Sequence, residues 1–389
     1  MRHKPTSLLL AAFFGALTAH AQLSIPSDGS DGAFAPVANV EIDLGLATTA
    51  LWNAPGSGNG VYDADKWAVV FKYSSVNIPA GVKVTFKNHP TYAPVVWLVQ
   101  GSVTIDGELN LDGKPGTIDS TARLIPSEPG PGGYRGGASG PSGWGSGMGP
   151  GGTITTNFGN NATYAGSYGN PQIIPLIGGS GLAARYTAGQ PSGGGGGGAI
   201  AVFAANQISL SGTVSAIGGA YADNYGSGGA VRLVASVVAG VGQVRCVTSG
   251  VNNPGRIRIE TNSLTPSLLT FPETIGVPPA NPPVIWPAAN APIAKVISVD
   301  AVNAPLDPRA PLVAGADVAI QDSNQVDILI ETQNFPIEGV VQLNITPKFG
   351  NRTTLNATRL SGDITSATWR VQTTLPQGFV TLQARATQP

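Results

Sequence analysis

Apolar and polar residues alternate along several short stretches of the chain, and one such phrase recurs. Clear copies occupy residues 103–113 and 208–218, a looser copy occupies 238–247, and an earlier copy occupies 76–84. Apolar residues at every second position predict strands, and each copy contains two strands joined at a small residue. One such unit cannot bury its apolar face alone, so the repetition predicts that successive copies stack on one another.

The alternation divides the strand residues of each copy into inward and outward sets. Small residues align at the bend between paired strands, at Ala80, Gly107, Gly212 and Gly242. Successive bends are 27, 105 and 30 residues apart, so the middle interval requires an insertion at about 114–197. The inward set is predicted to be Val76, Ile78, Val82, Val84, Val103, Ile105, Leu109, Leu111, Ile208, Leu210, Val214, Ala216, Val244 and Cys246.

These patterns predict an all-β protein. Residues 73–274 are predicted to form a parallel β-helix, a solenoid with a long glycine-rich insertion, preceded by an N-terminal cap at 22–72. A proline-rich linker at 275–292 follows. Short alternating runs separated by turn signals then predict a β-sandwich at 293–389. This sandwich is immunoglobulin-like in architecture alone, because the cysteine pattern of antibody domains is missing.

The insertion is rich in glycine: 25 of the 53 glycines lie between residues 130 and 198. Such composition is typical of a flexible excursion. Apolar residues at 173–177 and several aromatic residues favour the alternative, an ordered loop that lies against the coil.

The N-terminus predicts export. Basic residues, an apolar run too short to span a bilayer and the Ala-His-Ala site at 19–21 together indicate a signal peptide at residues 1–21. We therefore expect an extracellular or cell-surface protein without membrane insertion. After cleavage the chain would contain 19 Lys and Arg residues and 22 Asp and Glu residues. This balance argues against a nucleic-acid partner, which calls for a basic surface. The oligomeric state is not predicted.

Three phrases carry a resemblance, at residues 67–81, 94–99 and 132–137. Together with the paired strands and small-residue bends, they make the chain similar to right-handed parallel β-helix proteins of the pectin-lyase-like superfamily, and more narrowly to glycine-rich secreted bacterial proteins. The resemblance implies a fold and export. It implies no reaction, because this fold hosts lyases, hydrolases and adhesins.

Acidic residues on the outward side of the 103–113 copy are the first candidate site. Asp106, Glu108 and Asp112 could line one surface and supply oxygen ligands to Ca²⁺, as acidic clusters do in pectate lyases. Two of them could also serve as the carboxyl pair of an inverting glycoside hydrolase. A solvated polar face is the simpler interpretation, because Lys83 and Arg245 align beside them on neighbouring copies. We therefore predict no cofactor, with Ca²⁺ as the alternative.

Aromatic residues in and after the insertion are the second candidate site. Tyrosine among Gly, Ser and Asn is typical of adaptable binding surfaces. The predicted ligand-binding residues are Tyr134, Trp144, Tyr164, Tyr168, Tyr186, Tyr221 and Tyr225. The alternative interpretation is that these rings fix the long loop to the coil wall.

Two single residues receive structural interpretations. Cys246 aligns with inward positions and is expected to be a small core residue. His89 lies in a turn by composition, and no partner for catalysis is visible in the sequence.

We therefore expect a secreted structural or adhesive protein that binds an extracellular ligand, with polysaccharide as the candidate class, and no enzymatic activity. The alternative is a polysaccharide lyase or glycoside hydrolase that uses the acidic face.

Overall fold

The computed structural model describes residues 22–141, 143–155, 162–163, 166–185, 191–221, 224–247, 253–265, 267–309, 315–321 and 325–388. Within these ranges the chain is built from strands, and its helical elements are two short 3₁₀ turns, Leu44–Leu46 and Ala122–Leu124. The chain is therefore all-β, as predicted. The predicted signal peptide lies outside the described residues.

Three large sheets, here called I, II and III, contain the strands of the first 277 residues apart from three small hairpins. Sheet I consists of Ala33–Phe34, Ser75–Ile78, Val103–Ile105, Gln207–Leu210, Val237–Ala239 and Ser263–Leu264. Sheet II consists of Val40–Asp43, Lys83–Lys87, Glu108–Asn110, Thr213–Ser215, Gln243–Arg245 and Leu269–Phe271. Sheet III consists of Thr48–Thr49, Val61–Asp63, Ala68–Tyr73, Val95–Val99, Ala199–Ala204, Ala230–Val234, Arg256–Glu260 and Gly276–Val277.

From Ala68 onward the chain visits the sheets in the repeating order III, I, II, and the strands that it adds to each sheet are parallel to one another. No single sheet closes on itself; the repeat lies in the passage from sheet to sheet. The segment that we assigned to the N-terminal cap also contributes, because Ala33–Phe34 and Val40–Asp43 pair in parallel with sheets I and II.

The register of the parallel strands follows the alignment of the sequence repeats. Leu109 lies opposite Val84 on one side and Val214 on the other, and Val214 lies opposite Val244. Every residue of the predicted inward set belongs to one buried apolar cluster shared by the three sheets, which confirms the prediction. Alternation therefore identified the inner face of each strand correctly, because side chains along a strand point to opposite faces in turn.

The bends between sheets I and II also lie in register. The amide of Gly212 donates to the carbonyl of Ile105, and the amide of Gly242 donates to the carbonyl of Leu210, both over 2.9 Å. A Cβ at Gly212 would collide with the carbonyl oxygen of Gly107. Backbones approach too closely for a side chain at Gly107, Gly212 and Gly242, which explains the glycine at these three bends.

The described part of the insertion is ordered, as the second of our two interpretations proposed. The run Gly193–Gly198 is fully buried. The amides of Gly193, Gly196 and Ala199 donate to the carbonyls of Gly137, Tyr134 and Pro131 over 2.6–2.9 Å. Donor residue numbers rise by three from one bond to the next, and acceptor residue numbers fall by three, so the two segments run antiparallel. A spacing of three residues is the period of an extended polyproline-II-like chain.

Other segments surround the same glycine run on its remaining sides. Gly195 and Gly198 donate to the carbonyls of Lys114 and Leu111, again three residues apart. A Cβ at Gly193, Gly194 or Gly196 would collide with the carbonyl oxygen of a different neighbouring residue, namely Leu182, Gly219 and Gly179. Glycine is therefore required because extended backbones pack directly against backbone on several sides, and hydrogen bonds between segments of the same chain replace an apolar core here.

Sheet III is buried on its outer face as well as its inner face. Apolar outward residues such as Val70, Leu98 and Phe203 form a second cluster, which Leu23, Trp52 and the linker residue Trp286 cover. The proline-rich linker therefore lies against this face. The guanidinium of Arg232 donates to the carbonyl of Val284 over 2.7 Å, and the rings of Trp52 and Trp286 meet edge to face at 5.6 Å.

The C-terminal segment forms two antiparallel sheets around one apolar cluster that contains Ile328, Leu343 and Trp369. Sheet IV consists, in spatial order, of Val302–Asn303, Ile293–Val299, Gln325–Gln333, Ser366–Thr374 and Thr358–Gly362. Sheet V consists of Thr353–Asn356, Val340–Pro347 and Val380–Thr387. Small hairpins pair Ser139–Gly140 with Gly143–Trp144, Ile154–Thr155 with Ala162–Thr163 and Ala220–Tyr221 with Asn224–Tyr225.

Candidate functional site

The predicted acidic face lies on the outer side of sheet II. Asp106 is exposed at the bend, and Glu108 and Asn110 project outward on either side of the buried Leu109. The Nζ atom of Lys83, on the preceding strand, lies 2.9 Å from Glu108. The aligned lysine is thus paired with this carboxylate, as the sequence suggested.

Glu108 is also bonded within its own strand. The side-chain amide of Asn110 donates a hydrogen bond of 2.8 Å to the carboxylate of Glu108. Partial burial acts to raise the pKa of Glu108, but the hydrogen bonds from Asn110 and Lys83 outweigh it and leave the pKa below the ordinary value. Glu108 is therefore held in its ionised form, whereas a general acid needs a raised pKa.

Asp112 has the opposite environment. Its carboxylate accepts hydrogen bonds from the hydroxyl of Ser215 over 2.6 Å, from the amide of Ile217 over 2.8 Å and from Asn110 over 2.9 Å. Burial is the largest influence, and it raises the pKa of Asp112. The carboxylate therefore joins two successive turns of the chain. The described residues hold no group of three or more His, Cys, Asp or Glu side chains arranged to bind a metal ion.

Two of the predicted binding tyrosines lie within the glycine-rich packing. The hydroxyl of Tyr168 donates to the carbonyl of Gly178 over 2.6 Å, and the guanidinium of Arg256 lies 5.5 Å from the centre of its ring. Arg256 itself donates to the carbonyl of Ile177 over 2.7 Å. Burial raises the pKa of Tyr134 and of Tyr168. These contacts hold the insertion to sheet III, as expected for rings that fix the loop to the wall.

The other predicted aromatic residues are divided among separate places. Trp144 and Tyr225 are half-buried and lie in different hairpins. Tyr164 and Tyr186 lie outside the described residues, as does the side chain of Tyr221. Ligand binding by this set remains a prediction.

A polar cluster that the sequence did not reveal surrounds His89. The rings of Tyr62 and His89 stack at 4.0 Å, and Nδ1 of His89 lies 2.7 Å from the hydroxyl of Thr91. The hydroxyl of Tyr62 donates to the carboxylate of Asp307, which is 245 residues away in the sequence. Burial lowers the pKa of His89. Because Tyr62 and His89 are both buried, this cluster joins the N-terminal strands to the segment after the linker.

A second group extends the same region into the insertion. Arg135 forms an ion pair with Glu128, and its guanidinium donates to the hydroxyl of Tyr92. Asn88 donates to the carbonyl of Pro129 over 2.8 Å. The loop at 88–92 is therefore bonded on one side to the insertion, and on the other side His89 stacks on Tyr62, which in turn donates to Asp307. This arrangement could not be predicted from the sequence, because the partners are far apart in the chain and no local pattern links them.

Cys246 occupies the inward position predicted for it and is fully buried. Burial raises the pKa of its thiol. A reactive cysteine must form the thiolate and must be accessible to solvent. Cys246 is poorly suited on both counts, because its side chain is buried and the pKa of its thiol is raised.

Comparisons with known proteins give no relative from which a function could be transferred. No protein-family model matches the chain, and neither a curated protein nor a solved structure is significantly similar to it. Among the described residues there is no helix of the length and apolarity needed to cross a bilayer.

Proposed function

We propose that the chain is an exported, cell-surface or extracellular structural protein with adhesive function, whose partner is an extracellular glycan or another surface component. In this proposal sheets I, II and III are the walls of a parallel β-helix, and sheets IV and V form an immunoglobulin-like sandwich. Export is proposed from the signal-peptide pattern at residues 1–21. The resemblance to the pectin-lyase-like superfamily belongs to the same proposal.

The observation that carries the proposal is the in-register repeat of Leu109, Val214 and Val244 in one continuous core. Stacked repeats give a long wall whose stability comes from contacts between neighbours, and such walls present extended binding surfaces. The hydrogen-bonded glycine bundle adds a second rigid layer. Such an architecture supports a scaffold that displays surfaces to a partner.

The surroundings of the candidate catalytic carboxylates also favour a structural protein over an enzyme. Glu108 is paired with Lys83, and the oxygens of Asp112 accept three hydrogen bonds from neighbouring groups. A general acid and base must be free to exchange protons with a substrate. Asp106, exposed at the bend, is the carboxylate of this face whose surroundings leave it most open to solvent.

Binding to insoluble polysaccharides and to whole bacterial cells tests the proposal directly. Purified protein without residues 1–21 should co-sediment with at least one of these surfaces, and Tyr225→Ala tests the half-buried aromatic residue of the 220–225 hairpin. Failure to bind any surface or glycan would contradict the adhesive function.

Enzymatic activity has its own test. The protein should release no new reducing or unsaturated ends from uronate-rich or neutral polysaccharides, with or without Ca²⁺. Cleavage that Asp106→Ala abolishes would establish the enzyme alternative instead.

A further inference from the structure

A shallow groove lies on the outer surface of sheet III, beside the first described segment of the chain. Its volume is about 520 Å³, and it is open to solvent along its length. The groove is lined by Gln22, Leu23, Ser24, Ile25, Ser27, Gln100 and Ala205. We propose that it binds a neutral oligosaccharide, an assignment that rests on the proposed glycan-binding function and specifies its ligand.

The lining chemistry selects this class of ligand. Its polar side chains are two amides, from Gln22 and Gln100, and two hydroxyls, from Ser24 and Ser27. Amide and hydroxyl groups exchange hydrogen bonds with sugar hydroxyls as both donors and acceptors. The lining contains no ionisable side chain, so a uronate or phosphate would lose water without gaining a counter-charge.

The apolar part of the lining complements the other face of a sugar ring. Ile25 is half-buried at the side of the groove and is the apolar side chain that a sugar ring can contact, whereas Leu23 and Ala205 are almost fully buried beneath it and support the lining from below. The C–H groups of a sugar ring pack against Ile25 while its hydroxyls reach the polar rim. Binding sites of this kind combine an apolar base with a few placed polar groups.

The walls of the groove are held in place before any ligand arrives. The side-chain amide of Gln100 donates to the carbonyl of Ser27 over 2.9 Å, and the amide of Leu23 donates to the carbonyl of Ala205 over 2.9 Å. On the far side, the amide of Ser24 donates to Asn281 over 2.8 Å. Because the lining is already ordered, binding costs less conformational entropy.

Cleavage after Ala21, which is part of the proposed function, would make Gln22 the first residue at the groove rim. Its α-amino nitrogen can attack the side-chain carbonyl carbon, forming the lactam C–N bond while the original amide C–N bond breaks and ammonia leaves. The resulting lactam carries no charge and keeps one N–H donor and one C=O acceptor, so the rim remains neutral and the hydrogen-bonding role of the Gln22 amide passes to the lactam.

Calorimetric titration of the protein without residues 1–21 tests the groove. The probes are cellohexaose, laminarihexaose, maltohexaose and xylohexaose as neutral ligands and hexagalacturonate as the charged ligand. We expect at least one neutral ligand to bind and hexagalacturonate to bind at least about tenfold more weakly, a difference of about 1.4 kcal/mol. Ser24→Trp, which places a ring in the exposed groove, should weaken the neutral ligand at least about tenfold.

Two further variants make the result specific. Gln100→Ala removes one amide of the lining and should also weaken binding. Ser211→Trp places the same large ring at an exposed bend between sheets I and II and should leave binding unchanged. Circular dichroism melting curves should coincide for the tryptophan variants, which confirms that each protein folds.

The outcomes separate the groove from the wider function. Neutral binding that survives both Ser24→Trp and Gln100→Ala would place the glycan elsewhere and overturn this inference while leaving the adhesive function intact. Equal affinity for hexagalacturonate would overturn the charge argument. Binding to cells without affinity for any of the neutral oligosaccharides would also overturn the groove assignment, whereas loss of all surface binding would contradict the proposed function itself.

Discussion

The carboxylate of Asp112 accepts a hydrogen bond of 2.6 Å from the hydroxyl of Ser215, a residue 103 positions later in the chain. The two residues lie on successive turns, one before the insertion and one after it. The same carboxylate oxygen accepts the amide of Ile217 over 2.8 Å. Through these bonds a single half-buried side chain fastens two neighbouring strands of sheet II at the corner from which the insertion leaves.

Removing this carboxylate should destabilise the native state. We expect Asp112→Ala to lower the free energy of unfolding by ~1–3 kcal/mol, because the hydroxyl of Ser215 and the amide of Ile217 lose their acceptor in a largely buried place. Urea unfolding measured by circular dichroism gives the value. Asp106→Ala, at the exposed bend of the same face, is the control and should change stability by less than ~0.5 kcal/mol. Equal effects of the two variants would contradict the structural role of Asp112.

The pH dependence of stability gives an independent test of Asp112. Burial raises its pKa in the folded protein above the value in the unfolded chain. The native state therefore keeps this proton to higher pH, and the stability that the shift adds below the unfolded pKa is lost as pH rises through the folded pKa. Asp112→Asn, which cannot ionise, should remove this part of the acid-range slope. Superimposable stability–pH curves for wild type and Asp112→Asn would show that the pKa is not raised.

The sequence predicted the strands and their inner faces well because both depend on local alternation. The inward set from Val76 to Cys246 required only the two-residue period of a strand, and every member lies in the common core. The aligned small residues at Gly107, Gly212 and Gly242 likewise reported a steric requirement that is local to each bend. What repeats every few residues leaves a pattern that can be recognised without the structure.

Order in the insertion could not be predicted in the same way. The glycine run at 193–198 is held by carbonyls of residues as distant as Leu111 and Ser227, and composition alone does not indicate which backbones meet. The same limit applies to Tyr62 and Asp307, which come together only after the linker has crossed the outer face of sheet III. Tyr168 illustrates the ambiguity, because an exposed binding ring and an anchoring ring have the same sequence context.

Close backbone packing along the glycine run at 193–198 predicts that single methyl groups are not tolerated in this run. Gly196→Ala would drive its Cβ into the carbonyl oxygen of Gly179, so we expect the free energy of unfolding to fall by at least ~3 kcal/mol, the upper end for overpacked interiors. Gly143→Ala is the matched control, because its Cβ would make an ordinary contact of 3.4 Å with Phe349. Thermal unfolding of both variants and of the wild type measures this difference in stability. Wild-type stability of Gly196→Ala would show that this run is not enclosed.

The contact between Tyr62 and Asp307 should fasten the segment after the linker to the N-terminal strands. We expect Asp307→Asn, which weakens a hydrogen bond to a charged acceptor worth about 1.5–3 kcal/mol, to increase local opening. Hydrogen–deuterium exchange of a peptide that covers residues 300–309 should be several-fold faster. Glu338→Gln removes an exposed charge elsewhere in the C-terminal segment and should leave this exchange unchanged. Equal exchange in wild type and Asp307→Asn would show that the contact contributes little to docking.

Cys246 provides a probe of the stacked core because it is the only cysteine of the chain. Its side chain is fully buried against inward residues of neighbouring turns, and burial raises the pKa of the thiol. We therefore expect Ellman's reagent to leave the native protein unlabelled and to modify one thiol completely in denaturant, since unfolding gives the reagent access to the thiol and removes the burial that raises its pKa. Labelling at increasing urea concentrations should follow the unfolding curve from circular dichroism. Rapid modification at neutral pH without denaturant would mean that the turns at this end of the sheets separate readily, which continuous packing of Leu111, Ala216 and Cys246 does not permit.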